Sequence, residues 1–276
     1  MKTEKAYYKI IEQAPGKLGA YKIAEFGARL CYRSENQMDD GDSYKKIFTI
    51  LDNGDHKSPY AHATCYMTIP IDAYLDFLND LATQQMGPGY TAKEHFETPG
   101  WTRAIYDDDL GLVYVTTNYR VIKELDLEKF WNLYYSEPTK HVKRYSVLVR
   151  TDIGVTREWN RHGMACSINE ESTRYCSYNK AKYEGQVTFI EHEEDSDRDY
   201  YNSLAEEGYM KALSEGKPPQ LARRRLTLNT ATTALYTAFP DMWQHVLSLR
   251  TSSGAHPDIK EITEPLYQEF LDREIL

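Results

Sequence analysis

Long hydrophobic runs are missing from this chain. No stretch approaches the roughly 20 consecutive apolar residues that a membrane-spanning helix needs, so no membrane residence is expected. Cysteine is scarce: Cys31, Cys65, Cys166 and Cys176 are scattered and form no C-x-x-C pair, which argues for reduced thiols and against a zinc site or disulfide framework. No metal site is expected. The N-terminal "MKTEKAYYKIIEQ" has no apolar segment leading to a small-residue cleavage site, so it does not read as a signal peptide and a cytoplasmic address is expected. Basic charge is also short, with Lys+Arg 33 against Asp+Glu 42 and a net charge of -9. A chain this acidic lacks the broad basic surface that nucleic-acid binding requires, so any anionic ligand must meet a local cluster. A Gly-rich phosphate loop and a G-x-S-x-G elbow are absent too.

What is present is enough chain, 276 residues, to bury a full-sized core. One domain over 1–276 is expected, with an extended insertion at about 70–150. "LGAYKIAEFGARLCY" and "SYKKIFTILDNG" follow the helical period, the second stopping at Gly54, while "HATCYMTIP" alternates as a strand closed by Pro70. "IDAYLDFLNDLATQQ" is again helical, and "QMGPGYTAKEHFETPGW" reads as a long surface loop. "GLVYVTT" and "YSVLVRT" read as strands bracketing a helical stretch over about 119–135. Downstream, a helix is predicted to Ser214, a break at "GKPPQ", a strand in "TATTALYTAF" and two helices each opened by proline, with Pro265 a possible kink point in the last. The acidic run "EHEEDSDRD" reads as a solvated turn or helix start rather than a metal site.

Directional polar groups concentrate in "TREWNRHGMACSINEESTRYCSYNK". Arg157 and Arg161 are four apart and would share a helix face, with Thr156 a candidate cap. Their planar forks suit phosphate and pyrimidine edges, and Asn169, Glu170, Ser172, Thr173 and Arg174 add donors and acceptors that could read a ring bearing both C=O and N–H. In "ARRRLTLN", consecutive helical residues point about 100° apart, so only one or two of Arg223, Arg224 and Arg225 can face one ligand. Arg250 ends an apolar helix, where the dipole favours a cation in any case. His56 and His62 read as core or hydrogen-bonded histidines.

Taken in order, "HKSPYAH" at 56–62, "RHG" at 161–163, "SINEESTRYCSYNK" from Ser167, "ARRRLTLN" from Ala222 and "LSLRTSSGAHPDIKE" from Leu247 resemble the motifs of the flavin-dependent thymidylate synthases. That resemblance spans roughly residues 20 to 270. It implies an α+β fold, a mostly antiparallel sheet packed with helices, in a homotetramer with shared active sites. It also implies methylation of dUMP with 5,10-methylenetetrahydrofolate as carbon donor and FAD reduced by NADPH. Arg250 then matches the catalytic arginine that polarises the uracil ring. Glu158, Arg161, Glu170, Ser172, Thr173, Arg174, Arg223 and Arg250 match substrate-binding positions. Ser58, Arg161, His162, Gly163, Glu170, Phe239 and His245 fall at flavin-contacting positions. The chain departs from the family pattern at Gly163, where a third motif arginine is usual, at Ala61 for a glutamate, at Phe239 for an asparagine and at Glu158 for a glutamine. Those departures keep two alternatives open: a related pyrimidine-nucleotide methylase or hydroxymethylase, and a non-catalytic nucleotide-binding homologue.

Overall fold

The computed structural model describes residues 1–85, 91–98, 100–163, 166–192 and 197–276. Two short strands, β1 (Lys2–Lys5) and β2 (Tyr7–Ile11), precede helix α1 (Gly16–Leu30) and helix α2 (Ser43–Asn53), which ends at Gly54 as the sequence predicts. A 3-10 turn over Ser58–His62 leads into β3 (Thr64–Pro70), then α3 (Ile71–Gln85), α4 (Ala92–Phe96), β4 (Arg103–Asp107) and β5 (Leu112–Asn118). The expected loop "QMGPGYTAKEHFETPGW" therefore contains a helix, α4, capped by Thr91 and Glu94 in a reciprocal box; residues 86–90 and 99 lie outside the described residues. The single helix expected over 119–135 is two, α5 (Tyr119–Glu124) and α6 (Glu128–Tyr134), separated at Asp126, which has a positive φ of 54°.

The second half runs β6 (Tyr145–Asp152), α7 (Ile153–Trp159), a 3-10 turn over Asn160–His162, β7 (Ser167–Glu170), β8 (Thr188–Glu191), α8 (Arg198–Ser214), α9 (Pro219–Ala222), a 3-10 turn over Arg223–Arg225, β9 (Ala231–Ala238), α10 (Pro240–Arg250) and α11 (Pro257–Asp272). Residues 193–196 of the acidic run are not among those described. α11 continues through Pro265, which is exposed.

Among the described residues, seven of the nine strands lie in two antiparallel sheets, ordered β2-β6-β9-β7 and β3-β5-β4, while β1 and β8 pair in parallel. The α+β class is as expected, but the strands divide among three sheets. Strand β9 is buried along its whole length because both faces of its sheet are covered. On one face Ala234, Tyr236 and Ala238 join Trp159, Trp243 and Leu266 in an apolar cluster, with Trp159 stacked on Tyr236 at 4.8 Å. On the other, α1 and the Ser58–His62 turn approach so closely that a Cβ at Gly27 would stand 3.0 Å from the His62 ring. Alternation along β7 then sends Asn169 and Glu170 to opposite faces. That division organises the candidate site.

Candidate nucleotide and flavin site

The turn from β6 into α7 is made by Asp152, whose side chain accepts a hydrogen bond from Val155 N at 2.7 Å. Thr156 is therefore not the cap expected from the sequence. It sits one turn inside, and its hydroxyl donates to Glu170 Oε1 at 2.8 Å. Thr232 donates to the same oxygen at 3.1 Å, and Asn160 Nδ2 donates to Oε2 at 3.0 Å. Tyr236 in turn donates to Asn160 Oδ1 at 3.1 Å. Glu170 is thus a carboxylate fixed by three donors from β9, α7 and the following turn, and its position cannot drift when a ligand arrives.

Glu170 lines a cavity of about 720 Å³ together with Arg157, Ser172, Thr173, Arg174, Arg223 and Arg224. All four arginines are exposed, and Arg223 reaches Thr173 Oγ1 at 2.9 Å. Two of the three consecutive arginines face this cavity, as helical geometry allows. Arg225 instead packs its aliphatic stem on Gly208. The neighbouring Glu171 is buried and pairs with Arg150 at 3.3 Å and Arg33 at 3.9 Å; burial raises its pKa, against the pull of those two arginines. Chemically the cavity offers several forked cations, the hydroxyls of Ser172 and Thr173 and the fixed carboxylate of Glu170, a set that suits a phosphorylated ring.

At the far end of α7 a second cluster forms. Arg250, the last residue of α10, donates to Glu158 O at 2.7 Å, to Glu158 Oε2 at 3.1 Å and through Nε to His162 Nε2 at 3.0 Å. Because His162 Nε2 accepts, its proton sits on Nδ1, and that N–H is the ring's remaining donor. Burial, Arg250 and His245 all lower the His162 pKa, so the ring is neutral near pH 7. The His245 ring lies edge-on to it at 5.9 Å and is exposed, as is Arg161.

The remaining expected positions are dispersed. Ser58 is exposed and lies 3.5 Å from Asn169 Nδ2, beside the buried His62, whose ring bonds Thr237 and Asn169 and whose pKa burial lowers to about 3. This is the hydrogen-bonded core histidine expected. Gly163 is exposed and its neighbours 164–165 are not described. Phe239 is fully buried, with the guanidinium carbons of Arg103 at 5.0 Å and Arg144 at 5.6 Å from its ring. All four thiols are free, and burial raises the pKa of each. Asn160, Thr232 and Asp152 were missed because their roles depend on contacts across the fold. Asp152 also bonds His192, which in turn meets Glu261 at 3.0 Å and Asp258 at 3.8 Å. The ligand atoms of Asp152, His192 and Asp258 lie within 4.8 Å of one another, and the cluster is an imidazole held among carboxylates.

Comparison with known proteins agrees with the motifs. The model of the family described as thymidylate synthase complementing protein matches residues 116–273, so the chain belongs to this family, that of the flavin-dependent thymidylate synthases. Similar solved structures include a UMP/dUMP methylase PolB from Streptomyces cacaoi bound with 5-Br dUMP, 15% identical, covering 99% of this chain and 93% of that one with a TM-score of 0.44. Another is Thymidylate Synthase X (ThyX) from Helicobacter pylori with FAD and dUMP, 14% identical, covering 95% and 92% with a TM-score of 0.43. No curated protein matches significantly.

Proposed function

We propose that this protein catalyses the reductive methylation of dUMP to dTMP, with 5,10-methylenetetrahydrofolate as carbon donor and FAD reduced by NADPH, in a homotetramer with shared active sites. The observation that carries this reading is the juxtaposition, along α7, of an arginine-lined cavity with the Arg250–His162–Glu158 cluster. Arg174, Arg223 and exposed Arg161 hold the phosphate, and Ser172 and Thr173 lie near the ring. Arg250 polarises the pyrimidine carbonyl, a role that suits a guanidinium fixed in advance by two acceptors and a neutral imidazole.

The residues fit a flavin at one point in particular: the tautomer imposed by Arg250 leaves His162 Nδ1–H, without a partner among the described residues, to donate to an acceptor-rich ring, with exposed His245 beside it. Ser58 and Glu170 are the further candidates to hold it, and Gly163 provides backbone alone. When bound, reduced flavin supplies the hydride and handles the one-carbon unit, so none of the four thiols is required as a nucleophile. A second reading, methylation of UMP as well as dUMP, is favoured by Glu158, whose carboxylate is a potential acceptor for a sugar hydroxyl. Absorbance between 300 and 550 nm tests the cofactor assignment. Flavin bands that bind to the protein and shift on adding dUMP are expected. A protein that remains colourless in FAD contradicts it.

A further inference from the structure

Glu170 is paired with Ala234 in the β7–β9 ladder. Alternation along β9 puts Thr232 and Tyr236 on the face of that alanine, one to either side of it. Thr232 reaches the Glu170 carboxylate directly, at Oε1. Tyr236 reaches it through Asn160, whose amide oxygen accepts from the tyrosine at 3.1 Å while its Nδ2 donates to Glu170 Oε2 at 3.0 Å.

The relay runs in one direction. Burial, with Glu170 nearby, raises the Tyr236 pKa, so the hydroxyl keeps its proton, and a carboxylate can only accept. The amide of Asn160 therefore turns its oxygen to Tyr236 and its nitrogen to Glu170; flipped, it would set two acceptors face to face. The Tyr236 ring is fully buried and stacked on Trp159, so this direction is imposed from inside the core. A carboxylate offers about four acceptor sites. Thr156 and Thr232 occupy Oε1 and Asn160 takes one site on Oε2, which leaves, among the described residues, the open site on the oxygen that Asn160 holds. Neither Asn160 nor Tyr236 lines the cavity, so any influence on a ligand there passes through Glu170. Resting on the dUMP reading above, we infer that Tyr236 and Asn160 are positioning residues, which present Glu170 Oε2 to the nucleotide as the acceptor for one N–H or O–H.

Calorimetric titration of the full chain with dUMP, carried through a double-mutant cycle, tests this. Tyr236→Phe keeps the ring and removes only the hydroxyl. It is expected to weaken dUMP binding about fivefold, the usual weight of one hydrogen bond, but by less than about twofold where Glu170→Gln is already present. Asn160→Ala should show the same dependence on Glu170, and it decides the matter if Tyr236→Phe does not fold. A hydroxyl that only braced the turn bearing Arg161 and His162 would cost the same in both backgrounds. Equal losses in the two backgrounds, or no loss when Glu170 is intact, overturn the inference and leave the dUMP reading standing. Absence of dUMP binding by the wild type overturns that reading and the inference with it.

Discussion

Arg250 shows how the site handles charge at the scale of single residues. Its guanidinium is held by a carboxylate, a carbonyl and an imidazole, so it cannot swing away as a substrate binds. Removing it as Arg250→Ala is expected to lower the turnover of dUMP by about 10²–10³, the usual loss for one fixed donor to a developing anion; steady-state kinetics at saturating dUMP would show it. Glu158 opposes an anionic ligand in the same place. Glu158→Gln keeps an acceptor for Arg250 but removes that repulsion, and dUMP is expected to bind about fivefold tighter, equivalent to roughly 1 kcal/mol. An unchanged dissociation constant would separate Glu158 from the nucleotide. Arg157, Glu170, Arg174 and Arg223 were legible as candidates because they crowd into short motifs. The Arg250–Glu158 contact was not, since 92 residues separate the partners and nothing local encodes their meeting.

At the scale of elements, Asp152 ties three of them together. It caps α7 with one oxygen and bonds His192, beyond β8, with the other, while Glu261 of α11 takes the second ring nitrogen. Burial lowers the pKa of this histidine, but its bonds to Asp152 and Glu261 and the charge of Asp258 outweigh that and raise it to about 9. A folded pKa above the unfolded value of 6.5 means stability fully present below about pH 6.5 and lost as pH rises through 9. Thermal melts should therefore show Tm falling across that window in the wild type and a flatter profile in His192→Ala; parallel profiles would remove His192 as the cause. Most elements were legible because apolar periodicity marks them, α1, α3 and β9 among them. β1, β2 and β4 were not: β1 is almost wholly exposed and carries no alternation, and its pairing with β8 bridges 186 residues, Lys2 with Thr188. The break between α5 and α6 was hidden because both helices keep the apolar spacing and only the backbone at Asp126 reverses.

For the whole molecule, a net charge of -9 coexists with a cavity whose cations are Arg157, Arg174, Arg223 and Arg224. On the proposed reading the exposed arginines hold the dUMP phosphate, and affinity is expected to fall steadily as salt rises from about 0.05 to about 0.5 M; salt-independent binding would place the phosphate elsewhere. Family membership was legible from five ordered motifs, four of them inside the matched residues 116–273, whereas the assembly proposed here as a tetramer was not, since no local signal names a subunit partner. The measurement that bears most directly on the central claim is the mass of the nucleotide product. Purified protein would be supplied with FAD, NADPH and 5,10-methylenetetrahydrofolate, and with dUMP and UMP in separate reactions. The account predicts that dUMP gains one methyl group in place of a ring hydrogen, with NADPH consumed only when nucleotide is present. Unchanged dUMP in a protein that has bound both flavin and nucleotide would contradict it.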